Sequence, residues 1–310
     1  MVYKKVMMRF IAVLLLLIPL SLSAEDSITA ESYLLVEEDT FHIIAGKDFD
    51  IPLPLASTTK VITTIMAIEY LEGDEVIIPD NEVRRIPRSK LNLIPGREYN
   101  AMDLIKGTLI HSANDAAYTI ASHIAGSEED FARLMTEKAR EIGAYNTQFK
   151  NASGLFVEGQ YTTCYDLALI FRYAMSNVKF KEIIATKFFT FRDKRRSVVY
   201  KNHNRFLFCF DPTLGGKTGY TRASKYCYVG AFEKNGKVYI LSILGSKNLW
   251  GDAKNILSTI YDELPSDKEL QKARATRASL ASYKKTKTKK AAIKKKTKKL
   301  AKGKKNLSPE

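Results

Sequence analysis

The spacing of apolar positions changes along the chain and divides it into blocks. Ser32-Tyr33-Leu34-Leu35-Val36 and Phe41-His42-Ile43-Ile44-Ala45 flank the polar Glu37-Glu38-Asp39-Thr40, which reads as a hairpin within residues 25–50. Pro54 and Ser57 then open a run in which Val61, Ile65 and Ile68 recur at helical spacing, predicting a buried helix from about Ser57 to Leu71. Pro79, Pro87, Pro95 and Gly96 break residues 73–100 into loop and short strand. Helical spacing resumes over Ala101–Leu109, Asp115–Ala125, Ser127–Ile142 and Tyr165–Met175, with Ser127-Glu128-Glu129-Asp130 as a capping-box pattern and Asn151–Leu155 as an interrupting loop. From Lys187 the pattern is that of strands: Phe188–Phe191, Ser197–Tyr200, Thr213–Tyr220, Tyr226–Phe232 and Val238–Leu244. Asn235-Gly236 is a hairpin turn between the last two, and Asp252–Leu264 reads as a closing helix.

Strands, then helices, then strands and a final helix do not form alternating βαβ units. The order predicts an α+β fold whose antiparallel sheet is formed from both chain ends, with a helical region inserted between them.

Ser57 and Lys60 stand one helical turn apart and so share a face. A serine hydroxyl needs a neighbouring base to act as a nucleophile. Lysine can be that base when burial or a second cation lowers its pKa, and here it is embedded in an apolar helix start. Taken alone, the pair reads more readily as a helix cap followed by a solvated lysine. His111-Ser112-Ala113-Asn114-Asp115 falls between two predicted helices. There Ser112 could relay a proton, and the Asn114 amide could donate to a substrate carbonyl or orient Lys60; a simple cap uses the same residue types. Gly215-Gly216-Lys217-Thr218-Gly219-Tyr220 precedes the last strand pair. Lys217 and Thr218 on a strand edge would make a carboxylate site, and Gly219 would let an extended substrate approach the backbone; a glycine-rich turn is the plainer reading.

Together, Ser57-Thr58-Thr59-Lys60, Ser112-Ala113-Asn114 and Lys217-Thr218-Gly219 resemble the Ser-x-x-Lys, Ser-x-Asn and Lys-Thr-Gly signatures of the penicillin-binding protein and serine β-lactamase superfamily. Within it, Pro54–Lys60, Ser112–Ala117, Phe149–Leu155 and Gly216–Thr221 are most similar to the low-molecular-mass D-alanyl-D-alanine carboxypeptidases, over roughly residues 28–262. The resemblance implies a mixed αβα sandwich and no cofactor or metal. It implies Ser57 as the acylated nucleophile, Lys60 as its base, and Ser112 and Asn114 in proton transfer and substrate orientation. Lys217 and Thr218 would bind the terminal carboxylate, and the backbone N–H groups of Ser57 and Tyr220 would hold the oxyanion beside Gly219. The implied partners are the peptidoglycan stem peptide as substrate and β-lactams as covalent inhibitors. Ala113 and Ala152-Ser153 depart from the Gly and Pro-x that many relatives carry there. The stretch after Leu264 is short for the β-rich domain found in many of them.

A glutamate in a Glu-x-x-Leu-Asn setting, which a class A β-lactamase needs for deacylation, is not found between the second and third motifs, so penicillin is expected to acylate and stay. An endopeptidase would use the same residues. A non-enzymatic envelope scaffold would leave them idle. A Ser-His-Asp hydrolase is disfavoured because Ser57 lacks a Gly-x-Ser-x-Gly elbow. The four histidines, His42, His111, His123 and His203, show no metal-ligand spacing.

Charge alters this picture at one end only. Residues 271–310 hold 14 Lys, 2 Arg and one Glu, which is the whole of the net +15; residues 1–270 balance at 33 basic and 33 acidic side chains. The globular part is therefore neutral. The lysine-rich run is expected to stay disordered and to act as an electrostatic tether to anionic lipid or wall polymer, with no specific nucleic acid partner. Truncation at about residue 270 is expected to abolish that association. At the other end Lys4, Lys5 and Arg9 precede an apolar run, Phe10–Leu20, and small residues follow, the pattern of an export signal; cleavage is the expectation, and the imperfect small-residue site leaves a retained anchor as the alternative. The expected division is a signal at 1–24, the peptidase domain at 25–266 and the tail at 267–310, in an exported, periplasmic or envelope-associated protein. Cys164, Cys209 and Cys227 are too few for a disulfide scaffold; one bridge, Cys209–Cys227, or buried free thiols fit equally.

Overall fold

The computed structural model describes residues 28–194 and 196–274. The expected signal at 1–24 and the lysine-rich run beyond 274 lie outside the described residues.

β1 (Ser32–Glu37) and β2 (Ile43–Lys47) form the expected hairpin, with the second strand two residues later than its pattern suggests. The turn needs those residues: Phe41 adopts φ 58° while its N–H bonds Glu37 O at 2.9 Å, and a bulge falls between Leu35 and Val36. A 3-10 turn, Ala56–Thr59, leads into α1 (Lys60–Tyr70), which is buried on every side from Lys60 to Ile68. β3 (Val76–Ile77) and β4 (Tyr99–Asn100) make a short ribbon, followed by α2 (Ala101–Ile110) and α3 (Asn114–Ala125). α4 (Glu128–Ile142) is capped by Ser127, whose Oγ accepts from Asp130 N at 3.0 Å. The Asp130 carboxylate takes the Ser127 hydroxyl (2.8 Å), so only half of the expected capping box forms. Aspartate is one methylene shorter than the glutamate that reaches back to the cap N–H.

α5 (Cys164–Ser176) follows, then α6 (Val178–Ile184), in a stretch between Met175 and Lys187 to which the sequence pattern assigned no element. β5 (Phe188–Arg192) and β6 (Ser197–Lys201) pair as a hairpin beside α2. β7 (Thr213–Thr221), β8 (Lys225–Lys234) and β9 (Lys237–Ser246) form the meander expected around Asn235-Gly236. The single closing helix expected over Asp252–Leu264 is instead two pieces. α7 (Leu249–Leu257) ends early, and α8 (Asp267–Ala273) starts after Pro265 with a full capping box between Ser266 and Glu269. α8 thus occupies residues that the sequence pattern assigned to the tail, with Leu270 buried against the sheet's second core.

The five long strands make one antiparallel sheet in the order β2-β1-β9-β8-β7. β1 lies against β9 in register Leu34↔Ser242, which closes the two chain ends onto each other. Alternation along the strands divides the apolar side chains between two cores. Leu34, Val36, Val229, Ala231, Ile240 and Leu244 face the helical region around α1. Tyr33, Leu35, Tyr228, Phe232, Leu241 and Ile243 face α7 and α8. The result is an α+β sandwich with helices on both faces of the sheet. The three cysteines are free, so the Cys209–Cys227 alternative does not form. Cys164 and Cys227 are instead packed into the core against the helical region.

Candidate active site

Ser57 does not cap α1. Ala56 takes φ 47°, and the hydroxyls of Thr58 and Thr59 bond back to Leu55 O (2.5 Å) and Ala56 O (2.9 Å). The turn is therefore wound as a 3-10 segment by its threonines, and the Ser57 hydroxyl is left at the cleft. Gly154 is why Ala56 O fits. A Cβ there would stand 1.8 Å from that carbonyl oxygen, and Gly154 itself has φ +77°.

Lys60 is fully buried; its Nζ lies within hydrogen-bond distance of Ser57 Oγ (3.1 Å) and donates to Asn114 Oδ1 (2.7 Å) and Ser153 O (2.5 Å). Burial, and then the nearby Lys217 ammonium, hold its pKa well below the ordinary lysine range, while the carboxylates of Glu128 and Asp115 pull the other way. Asn114 is fully engaged: its amide nitrogen donates to Pro87 O (3.2 Å) and Arg88 O (2.8 Å). Of the two roles open to it in the sequence, orienting Lys60 is the one its contacts serve. Ser112, buried with φ 61°, accepts from Lys217 Nζ at 3.0 Å, and the same ammonium donates to Thr218 O at 2.8 Å. Burial pushes Lys217 down to about 7.

β7 runs directly along the serine turn. A Cβ on Gly219 would lie 2.8 Å from Ser57 N and 2.9 Å from Ala56 Cβ, so this glycine admits the strand to the Ser57 amide, rather than admitting substrate to the strand. Lys217 and Thr218 leave β7 on opposite faces. Lys217 is turned inward to Ser112, and Thr218 lines an open cleft of about 390 Å³ with Ser57, Asn114, Gly219, Tyr220 and Trp250. Every sequence-nominated site residue thus meets at one seam, between the inserted helices and the edge of the sheet.

Several contributors to the seam were not nominated. The Ser153 carbonyl reaches Lys60 because the Asn151 side chain folds its loop, with Oδ1 accepting from Gly154 N (2.7 Å) and Ser153 N (3.2 Å). Glu128 supports the same loop through Ala152 N (3.1 Å), and burial raises its carboxyl pKa. Asp115 accepts from Leu91 N (2.8 Å) and Leu93 N (3.0 Å), fixing the loop behind Asn114. His111 stacks on Tyr200 (4.0 Å) and meets His203 edge-on (5.6 Å). Burial and Lys217 push His111 down to about 4. His203 is open to the cleft. Among the described residues no group of three or more His, Cys, Asp or Glu side chains is placed to hold a metal.

Residues 20–248 match the family model described as D-alanyl-D-alanine carboxypeptidase, Peptidase S11. The chain is 34% identical over 228 residues to the D-alanyl-D-alanine carboxypeptidase DacF of Bacillus subtilis, covering 70% of this chain and 57% of that protein. It is 30% identical over 241 residues to DacB2 of Mycobacterium tuberculosis, covering 75% and 81%. The crystal structure of a D-alanyl-D-alanine carboxypeptidase from M. tuberculosis H37Rv superposes with a TM-score of 0.71 at 29% identity, covering 77% of this chain and 93% of that one. The fold is that of the penicillin-binding proteins, a class of serine peptidases. Within that class, the chain belongs to the S11 family of D-alanyl-D-alanine carboxypeptidases.

Proposed function

We propose that this protein is a serine-type D-Ala-D-Ala carboxypeptidase that removes the terminal D-alanine from peptidoglycan stem pentapeptides through an acyl-enzyme on Ser57. The observation that carries this reading is the set of partners around Lys60. A neutral lysine has two N–H donors and one lone pair. Asn114 Oδ1 and Ser153 O can only accept, so they take the two N–H groups, and the lone pair is left for the Ser57 hydroxyl. Burial and Lys217 favour that neutral form.

Ser57 Oγ attacks the carbonyl carbon of the penultimate D-alanine as its proton passes to Lys60 Nζ. The Ser57 and Tyr220 N–H groups receive the developing oxyanion, a placement that the close approach of β7 at Gly219 supports. The C–N bond then breaks. The departing D-alanine amine takes the proton that Lys60 received, relayed through the Ser112 hydroxyl that Lys217 polarises; Lys60 is thereby neutral again and acts as base when water hydrolyses the ester. Benzylpenicillin enters the same first step and stays on Ser57. The test measures D-alanine release from a pentapeptide alongside cleavage of a cross-linked dimer. Release with little cleavage supports the carboxypeptidase, and the reverse transfers the assignment to an endopeptidase.

The substrate lies outside the cytoplasm, which agrees with an export signal at 1–24, and the lysine-rich tail fits an electrostatic tether to anionic lipid or wall polymer, at about 1 kcal/mol per lysine near the surface. No helix among the described residues is long and apolar enough to cross a membrane. Salt-sensitive binding to anionic vesicles that is lost on truncation after residue 278, leaving α8 whole, supports the tether; unchanged binding rules it out.

A further inference from the structure

The open cleft has no acidic side chain in its lining, yet three arginines reach it: Arg88, Arg205 and Arg274. Arg88 stands on the Ser112 side. The other two line the cleft together with Thr218 and Trp250. Arg205, half-buried, sits 5.3 Å from the Trp250 ring, and the Arg274 guanidinium is close enough to add to burial in lowering its pKa. Neither makes an ion pair with a carboxylate among the described residues. Arg274 is brought there by α8. Lys201 Nζ donates to Ala273 O (2.6 Å) and Arg274 O (3.3 Å), and Leu270 is buried beneath. Two guanidinium groups held together with no anion between them repel, and an anion placed there would relieve that repulsion.

We propose that Arg205 and Arg274, with the Thr218 hydroxyl, seat the free C-terminal carboxylate of the substrate, which makes α8 part of the substrate site. This rests on the carboxypeptidase reading above. The sequence assigned that carboxylate to Lys217 together with Thr218. Lys217, however, is 2% exposed, is absent from the cleft lining, and spends its contacts on Ser112 and the Thr218 carbonyl. Lys217 therefore serves proton transfer on the inner face of β7, and the arginines serve recognition on the outer face. Arg274 also lies beyond residue 248, where the family match ends, so a segment outside the matched region contributes to specificity.

The test uses the full-length protein and two peptides ending in D-Ala-D-Ala, one with a free carboxylate and one with a C-terminal primary amide. The wild type prefers the carboxylate. In Arg205→Gln and in Arg274→Gln, the ratio of kcat/KM for carboxylate over amide falls roughly tenfold to a hundredfold, chiefly through KM for the carboxylate peptide. Arg274 is exposed at the end of α8, so its variant reads the seat even where loss of the Trp250 stack unfolds the Arg205 variant. An unchanged ratio in folded Arg274→Gln, with the wild type releasing D-alanine normally, removes the arginine seat and leaves the carboxypeptidase standing. A wild type that neither forms a Ser57 adduct nor releases D-alanine removes both.

Discussion

Strand β7 has a closed face and an open one, and the same kinds of group behave differently on the two. On the closed face Lys217 and Lys60 are buried, hydrogen-bonded to fixed oxygens and pushed toward neutrality. On the open face Thr218, Arg205 and Arg274 border solvent, and the guanidinium groups keep their charge. Proton transfer at neutral pH needs a cation that desolvation has made willing to give up its proton. Recognition of an anion needs a cation that cannot. Lysine inside and arginine outside is the division of labour that these two demands require.

Replacing Lys60 by Met tests the closed face most severely. It removes the only base that touches Ser57 among the described residues, and benzylpenicillin acylation is expected to slow by about 10²–10⁴-fold, read by stopped-time intact mass. An effect confined to a few-fold would move the base elsewhere. Next comes Gly154→Ala, whose added methyl meets Ala56 O head-on at a positive φ. It should cost more than about 2 kcal/mol of stability, measured by thermal or denaturant melting, because the loop and serine turn must separate. Asn114→Ala leaves Lys60 with two partners and the Pro87–Arg88 carbonyls without an amide. Acylation should fall roughly 10–100-fold, with a smaller change in penicillin affinity before the covalent step.

A fourth effect is a pH dependence of stability. Lys217 titrates at about 7 when folded and at 10.5 as an ordinary lysine, so between those values the unfolded chain binds more protons. Stability therefore gains as pH rises from about 7 to 10.5. Lys217→Met should flatten that stretch of the melting-temperature profile. A profile as steep in the variant as in the wild type would assign the gain to another group.

Much of this was legible in the chain. The strand–helix–strand order pointed to a sheet joined from both chain ends, because apolar alternation is set by which residues face a core. The three motifs nominated Ser57, Lys60, Ser112, Asn114 and Lys217 to Tyr220 at the seam, because their chemistry requires particular side chains at particular spacings. What stayed hidden depends on contacts between distant segments. The 3-10 turn at Ser57 is wound by Thr58 and Thr59 against a glycine nearly a hundred residues later, and helix periodicity carries no trace of it. Ser153 acts through its carbonyl, which every residue possesses, so no residue type marks it. α8 is a short helix next to a lysine-rich run, and charge composition masked both its capping box and the arginine it delivers to the cleft. Gly215 and Gly219 fitted either a strand or a glycine-rich turn in the sequence; they lie in β7, where Ile184 and the serine turn leave no room for a Cβ.

The central claim is that Ser57 is an acylated nucleophile made reactive by a neutral Lys60. The most direct measurement is the intact mass of the full-length protein after benzylpenicillin, with peptide mapping and a Ser57→Ala control. A single persistent adduct mapped to Ser57 and absent from the control is the predicted result. A folded wild-type protein that takes up no penicillin, or an adduct that survives in Ser57→Ala, would contradict it.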